Sequence, residues 1–139
     1  MQHLATESNN LDSSAEVPGQ GLATLAEVLY LLNLLLLPGI AFIILLAVYL
    51  RYHNTSALLA CCHLRQTLSA SVWAGVMLVL VNALVIFFGG YHSPSTWLIV
   101  ILYFVTIHAT FILLGSLGLA RAMAGKHYHF PLFGRPCSE

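Results

Sequence analysis

Thr67–Gly89 reads TLSASVWAGVMLVLVNALVIFFG, an apolar run with no charged residue. The connection Gly90–Ser95 (GYHSPS) leads directly into another such run, Thr96–Ala120. Each supplies about 20 or more largely apolar residues, which at 1.5 Å per residue span a hydrocarbon core ~30 Å thick. A turn this short permits only an antiparallel hairpin of the two helices. Upstream lies a further apolar run, Leu22–Leu50. The pattern predicts an all-α integral membrane protein with three transmembrane helices, the second and third forming the hairpin.

Charge sets the expected orientation. All five basic residues (Arg51, Arg65, Arg121, Lys126 and Arg135) fall on one side if each run crosses once. Basic flanks stay cytoplasmic, because moving Lys or Arg across a bilayer is unfavourable. The Arg51–Arg65 connection and the C-terminal tail are therefore expected in the cytoplasm, with the N-terminus and Gly90–Ser95 outside. Glu7, Asp12, Glu16 and the boundary residue Glu27 sit in the segment placed outside.

Composition excludes an ordinary soluble domain. Hydrophobic residues make up 59% of the chain and charged residues 7%, against about a quarter charged in soluble proteins. The 139 residues form one unit, read as a flexible polar tail over 1–21 followed by a membrane domain over 22–139. The tail lacks the basic start and apolar stretch of a signal peptide. Five dispersed bases make no stripe for a phosphate backbone, so nucleic acid is not an expected partner. Cys61, Cys62 and Cys137 all fall on the cytoplasmic side, where thiols stay reduced, and no disulfide framework is expected.

Polar residues inside the runs are the first candidates for function. Pro38 frees the carbonyl of Leu34, and Gly39 beside it eases a kink. His108 falls at a similar depth in the third run, and an imidazole there needs a partner, such as that carbonyl. Asn33, Asn82, Tyr103 and Thr106 fall at broadly comparable depths and are read as interhelical hydrogen-bonding groups, worth about 0.6 kcal/mol each. Tyr30, Tyr91 and Trp97 are expected at the outer interface, and Tyr49, Tyr52 and Tyr128 at the inner one. Gly115, Gly118 and Ala122 would let helices approach closely. His53, His63, His127 and His129 gather with the cysteines on the inner face, but without the tight ligand spacing of a zinc motif. No metal site or cofactor is therefore assigned. His63 and His108 differ in depth by about 18–20 Å, too far to share one haem within the chain.

Three stretches carry a family resemblance: Asn33-Leu-Leu-Leu-Leu-Pro38-Gly39-Ile, His63-Leu-Arg65-Gln66-Thr67-Leu68, and Ala120 through Gly125, Tyr128 and Pro131 to Leu132. In order and spacing they resemble the Tic20-like, MamF/MmsF and DUF4870 family of small integral membrane proteins, over roughly residues 26–135. The connection at 51–62 departs from that pattern, being neutral to basic with two cysteines where many relatives are acidic. Three apparent spans also differ from the four of Tic20 proteins. The resemblance marks His63, Arg65, Gln66, Gly125, Tyr128 and Pro131 as an inner-face unit. Gln66 or His63 is placed to hydrogen-bond the last carbonyls of the closing helix, so the unit reads as a latch or a docking surface.

The expected function is that of a non-enzymatic accessory, assembly or organising subunit. It would act through self-association or within a larger membrane complex, in a bacterial inner membrane. The alternatives are an oligomeric transport or translocation component and a metal- or haem-handling membrane protein. An enzyme is not expected, since the runs hold no paired acids and no nucleophile–base pair.

Overall fold

The structure, a computed structural model, describes residues 17–129. Glu7, Asp12, Glu16, Pro131, Arg135 and Cys137 lie outside them, as does most of the polar tail. Among the described residues the fold is all-α, with four helices and no strand: α1 (Gln20–Leu35), α2 (Ile40–Tyr52), α3 (Leu58–Phe87) and α4 (Pro94–Met123).

The run Leu22–Leu50 is therefore two helices, and the single first span expected from it is corrected. The break falls at Leu36–Gly39. Pro38 has no N–H to continue the ladder, and Gly39 takes φ +88°, which favours glycine. The Asn33 side chain accepts the Gly39 N–H at 3.0 Å, satisfying a donor that the start of α2 would otherwise leave open. Beyond the bend α2 runs back along α1. Leu45 packs with Ala26 and Leu29, and Val48 and Tyr49 join the same cluster. At 1.5 Å per residue α1 is about 24 Å long and α2 about 20 Å, each short of a ~30 Å hydrocarbon core.

Helices α3 and α4 each hold 30 residues, about 45 Å at the same rise. Both are long and apolar enough to cross a membrane, by length and composition. Their ends follow from local chemistry. Gly89 (φ +116°) closes α3, with Gly90 N–H donating to the Val85 carbonyl at 2.9 Å. Gly125 (φ +64°) closes α4, with Lys126 N–H donating to Arg121 at 2.9 Å and Gly125 N–H to Ala122 at 3.0 Å. Both are paired-bond glycine caps of the Schellman type. Ser93 caps the start of α4 ahead of Pro94, which needs no donor there.

Helix α1 lies between α3 and α4 along one half of their length. Tyr30 packs with Ala70 and Phe111, and Ala23 packs with Leu59 and Ala122. The Gln20 side chain donates to the Met123 carbonyl at 2.6 Å, tying the start of α1 to the end of α4. A Cβ on Gly19 would come within 2.6 Å of Ala57 and 2.9 Å of Ala60, so α1 and α3 begin side by side. The described N- and C-terminal ends thus share one end of the molecule, together with Arg51 and Arg65. This corrects the expectation that they lie at opposite ends, because the first run reverses instead of crossing. It also moves Tyr30 from the expected outer interface to full burial, its hydroxyl donating to the Phe111 carbonyl at 3.2 Å.

Candidate functional site

At the shared end, α1, α3 and the segment after α4 converge on a buried acid–imidazole pair. Glu27 of α1 and His63 of α3 are both 0% exposed, with Nδ1 of His63 2.7 Å from Oε1 of Glu27. The other ring nitrogen, Nε2, lies 3.2 Å from the Lys126 carbonyl. A carbonyl only accepts, so Nε2 carries a hydrogen. Nδ1 then either accepts a proton from a neutral Glu27 carboxyl or donates one, as imidazolium, to its carboxylate. One proton is shared between Glu27 and His63, and the pair is electroneutral in either form. That neutrality suits an environment in which a lone charge costs several kcal/mol or more.

Residues of α3 and α4 pack closely around this pair. Thr67 returns its hydroxyl to the His63 carbonyl at 2.8 Å. Gly118 of α4 faces the carboxyl so closely that a Cβ there would sit 2.6 Å from Glu27 Oε2. One turn away, a Cβ on Gly115 would lie 2.5 Å from the Tyr30 ring. Glycine at both positions is what admits α1 between the long helices. Oε2 of Glu27 is buried without a hydrogen-bond partner among the described residues. Tyr128 packs beside Tyr30 and Phe111. Burial, then the negative charge of Glu27, push its phenol above its ordinary value, against an opposing pull from Arg121.

Of the inner-face residues marked by sequence, His63 and Gln66 reach the segment after α4. Gln66 Nε2 lies 3.1 Å from His129 Nδ1 and 3.5 Å from Cys62 Sγ. Gly125 makes the cap that turns the chain toward them, and a Cβ there would sit 2.7 Å from Val17. Tyr128 lies alongside and Arg65 is exposed; Pro131 lies outside the described residues. Cys62 is disulfide-bonded, which corrects the expectation of wholly reduced thiols, while Cys61 keeps a free thiol. No three of the described His, Cys, Asp or Glu residues converge as a metal-binding group.

The polar residues of the runs are arranged differently from the expected interhelical bonds. Asn82 donates to Leu78 of its own helix at 2.8 Å and accepts from the Tyr91 hydroxyl in the turn. Asn33 holds the hairpin bend. His108 stacks on Phe104, centroids 5.0 Å apart, and makes no hydrogen bond to Leu34 among the described residues. Asn33, Tyr103 and His108 all line a cavity of about 610 Å³ beyond the hairpin tip.

Glu27 is the residue that sequence reasoning missed. Its signal was present: it is the lone acid within an apolar run, and an ionisable residue in such a setting is a functional candidate by default. No known family, curated protein or solved structure matches the chain.

Proposed function

We propose that the chain is a small integral membrane protein that works through contacts, as an accessory, assembly or organising subunit, and not by catalysis. One observation carries this reading. The most apolar stretches of α3 and α4 have mean hydropathies of 2.3 and 2.4, yet only 11% of each is buried. Val79, Phe87 and Leu98 are 68%, 82% and 67% exposed. Soluble proteins rarely expose contiguous apolar patches beyond a few hundred Å², so lipid or partner helices cover these faces.

On this reading α3 and α4 cross the bilayer, while α1 and α2 form a re-entrant hairpin. The hairpin enters from the base-rich side and turns back near the midplane, where residues 35–40 are exposed and Pro38 and Gly39 edge the cavity beside α3 and α4. The base-rich end is cytoplasmic, which puts both described chain ends in the cytoplasm and the Gly90–Ser95 turn outside. The cytoplasmic end, built on Glu27, His63 and Gln66, is the docking face. A bacterial inner membrane and kinship with the Tic20-like and MamF/MmsF proteins belong to the same proposal.

Two experiments test it. The protein should stay with membranes through alkaline carbonate. In a background lacking Cys61, Cys62 and Cys137, Val17→Cys should react with an impermeant maleimide from the cytoplasmic side and His92→Cys from the opposite side. Carbonate release, or labelling of both positions from one side, overturns the membrane reading. Purified in mild detergent, the chain should bring a stoichiometric partner or a defined number of its own copies. A lone monomer overturns the contact reading.

A further inference from the structure

The cavity beyond the hairpin tip has the chemistry of a ligand site. Its volume, about 610 Å³, lies within the roughly 300–1,000 Å³ usual for small-molecule sites. It lies between α3 and α4, about 18–30 Å along each helix from the shared end by helical rise. Half-exposed Val72, Leu78 and Phe104 rim it, so it opens sideways between the helices, toward lipid. No Lys, Arg, Asp or Glu lines it. A phosphate or ammonium headgroup therefore finds no counter-charge there.

What lines it instead is aromatic surface and uncharged hydrogen-bonding groups. Helical Ser and Thr hydroxyls commonly bond back to the carbonyl four residues earlier. Thr67, Thr110 and Ser116 do so, each at 2.8 Å. Ser71 does not: it is 5% exposed, lines the cavity, and its hydroxyl has no partner among the described residues. A buried unsatisfied hydroxyl costs about 1–3 kcal/mol, which a ligand oxygen would relieve. Across the cleft, His108 lies flat on Phe104 (15° between rings), and Tyr103 lies on the same helix wall. Asn33 spends its carbonyl oxygen on Gly39, leaving its amide N–H groups to donate. Gly75 completes the wall with open space in front of it: a Cβ there would meet nothing within 4 Å.

We infer that this cavity binds a neutral lipid whose planar ring carries acceptor oxygens, of the quinone class. The ring lies against the Phe104–His108 wall, its oxygens accept from Ser71 and from Tyr103 or His108, and its apolar tail leaves between α3 and α4. This inference rests on the membrane reading above. A chain that is not membrane-embedded fails carbonate extraction, whereas an embedded chain without this site passes extraction and fails only the binding test.

That test uses the full chain in detergent micelles, with decylubiquinone as the probe and protein-free micelles as the blank. Saturable retention of one probe per chain is expected. Gly75→Leu, which fills open space, should reduce affinity by at least about tenfold, more than the loss of one good hydrogen bond. Ser71→Ala should reduce it by about three- to tenfold. Gly21→Leu on α1, also facing open space but outside the cavity, should bind as the unaltered chain does. If Gly75→Leu fails to fold, Ser71→Ala and His108→Phe carry the comparison; the latter keeps an aromatic ring and removes the ring nitrogens. Retention no greater than that of empty micelles overturns the inference. So does unchanged affinity in the cavity variants, or a co-purifying phospholipid that the probe fails to displace.

Discussion

Removing His63 from beneath Glu27 tests the proton-sharing pair most directly. In His63→Leu the carboxyl loses its one partner at 2.7 Å, and its second oxygen has none among the described residues. Breaking a buried ion pair by deleting one member costs about 3–5 kcal/mol; leaving a neutral buried group unsatisfied costs about 1–3 kcal/mol. Since Glu27 can take up a proton when abandoned, the expected loss sits where the ranges meet, at about 3 kcal/mol. That is a shift of about 150-fold in the folding equilibrium. Glu27→Gln behaves differently, because its amide can donate to Nδ1 while Nε2 keeps the Lys126 carbonyl; it should cost less than about 1.5 kcal/mol. Glu27→Met/His63→Leu removes both polar groups and should cost clearly less than Glu27→Met and His63→Leu added, with a coupling of about 2 kcal/mol across that cycle, inside the range for residues in contact. Reversible unfolding in mixed micelles with increasing dodecyl sulfate, followed by circular dichroism, gives the four free energies. Additive losses, or a His63→Leu variant within about 0.5 kcal/mol of the unaltered protein, would refute the reasoning.

The same assay separates glycines by what they face. Gly118→Ala and Gly115→Ala drive a methyl into Glu27 or Tyr30 and should each cost about 1–3 kcal/mol by overpacking, whereas Gly75→Ala meets open space and should be neutral or stabilise by up to about 1 kcal/mol. Gly125→Ala must hold φ +64° and crowd Val17, so a loss of about 1–2 kcal/mol is expected. Spectrophotometric titration should find Tyr128 ionising above its ordinary value, and Glu27→Gln should lower that value only in part, because burial is the larger cause. The phenol's pKa is raised in the folded chain, so the stability it contributes is present below the unfolded value and lost as pH climbs through the folded one.

The long helices were readable because length and uninterrupted apolarity are local properties of Thr67–Gly89 and Thr96–Ala120. The hairpin of α1 and α2 was not. Hydropathy counts residues without recording direction, and Pro38-Gly39 announces a kink equally well whether the chain bends or reverses. What decides for reversal is the Asn33–Gly39 bond together with the packing of Leu45 on Ala26 and Leu29, a tertiary fact. Glu27 was passed over for a related reason: its partner His63 is 36 positions away, and a straight first helix puts the two at opposite ends. Gln66 and His63 were legible as a pair because they share a helix turn, but their attachment to Lys126 and His129 depends on where the Gly125 cap sends the chain.

The hairpin's halfway depth also gives the molecule a shape. On the membrane reading, the leaflet at the base-rich end accommodates four helices, each about 10 Å across, and the other leaflet only two. The protein is a wedge in lateral area. Copies packed side by side expand one monolayer more than the other, and the sheet that holds them bows outward on the side where Glu27 and His63 lie.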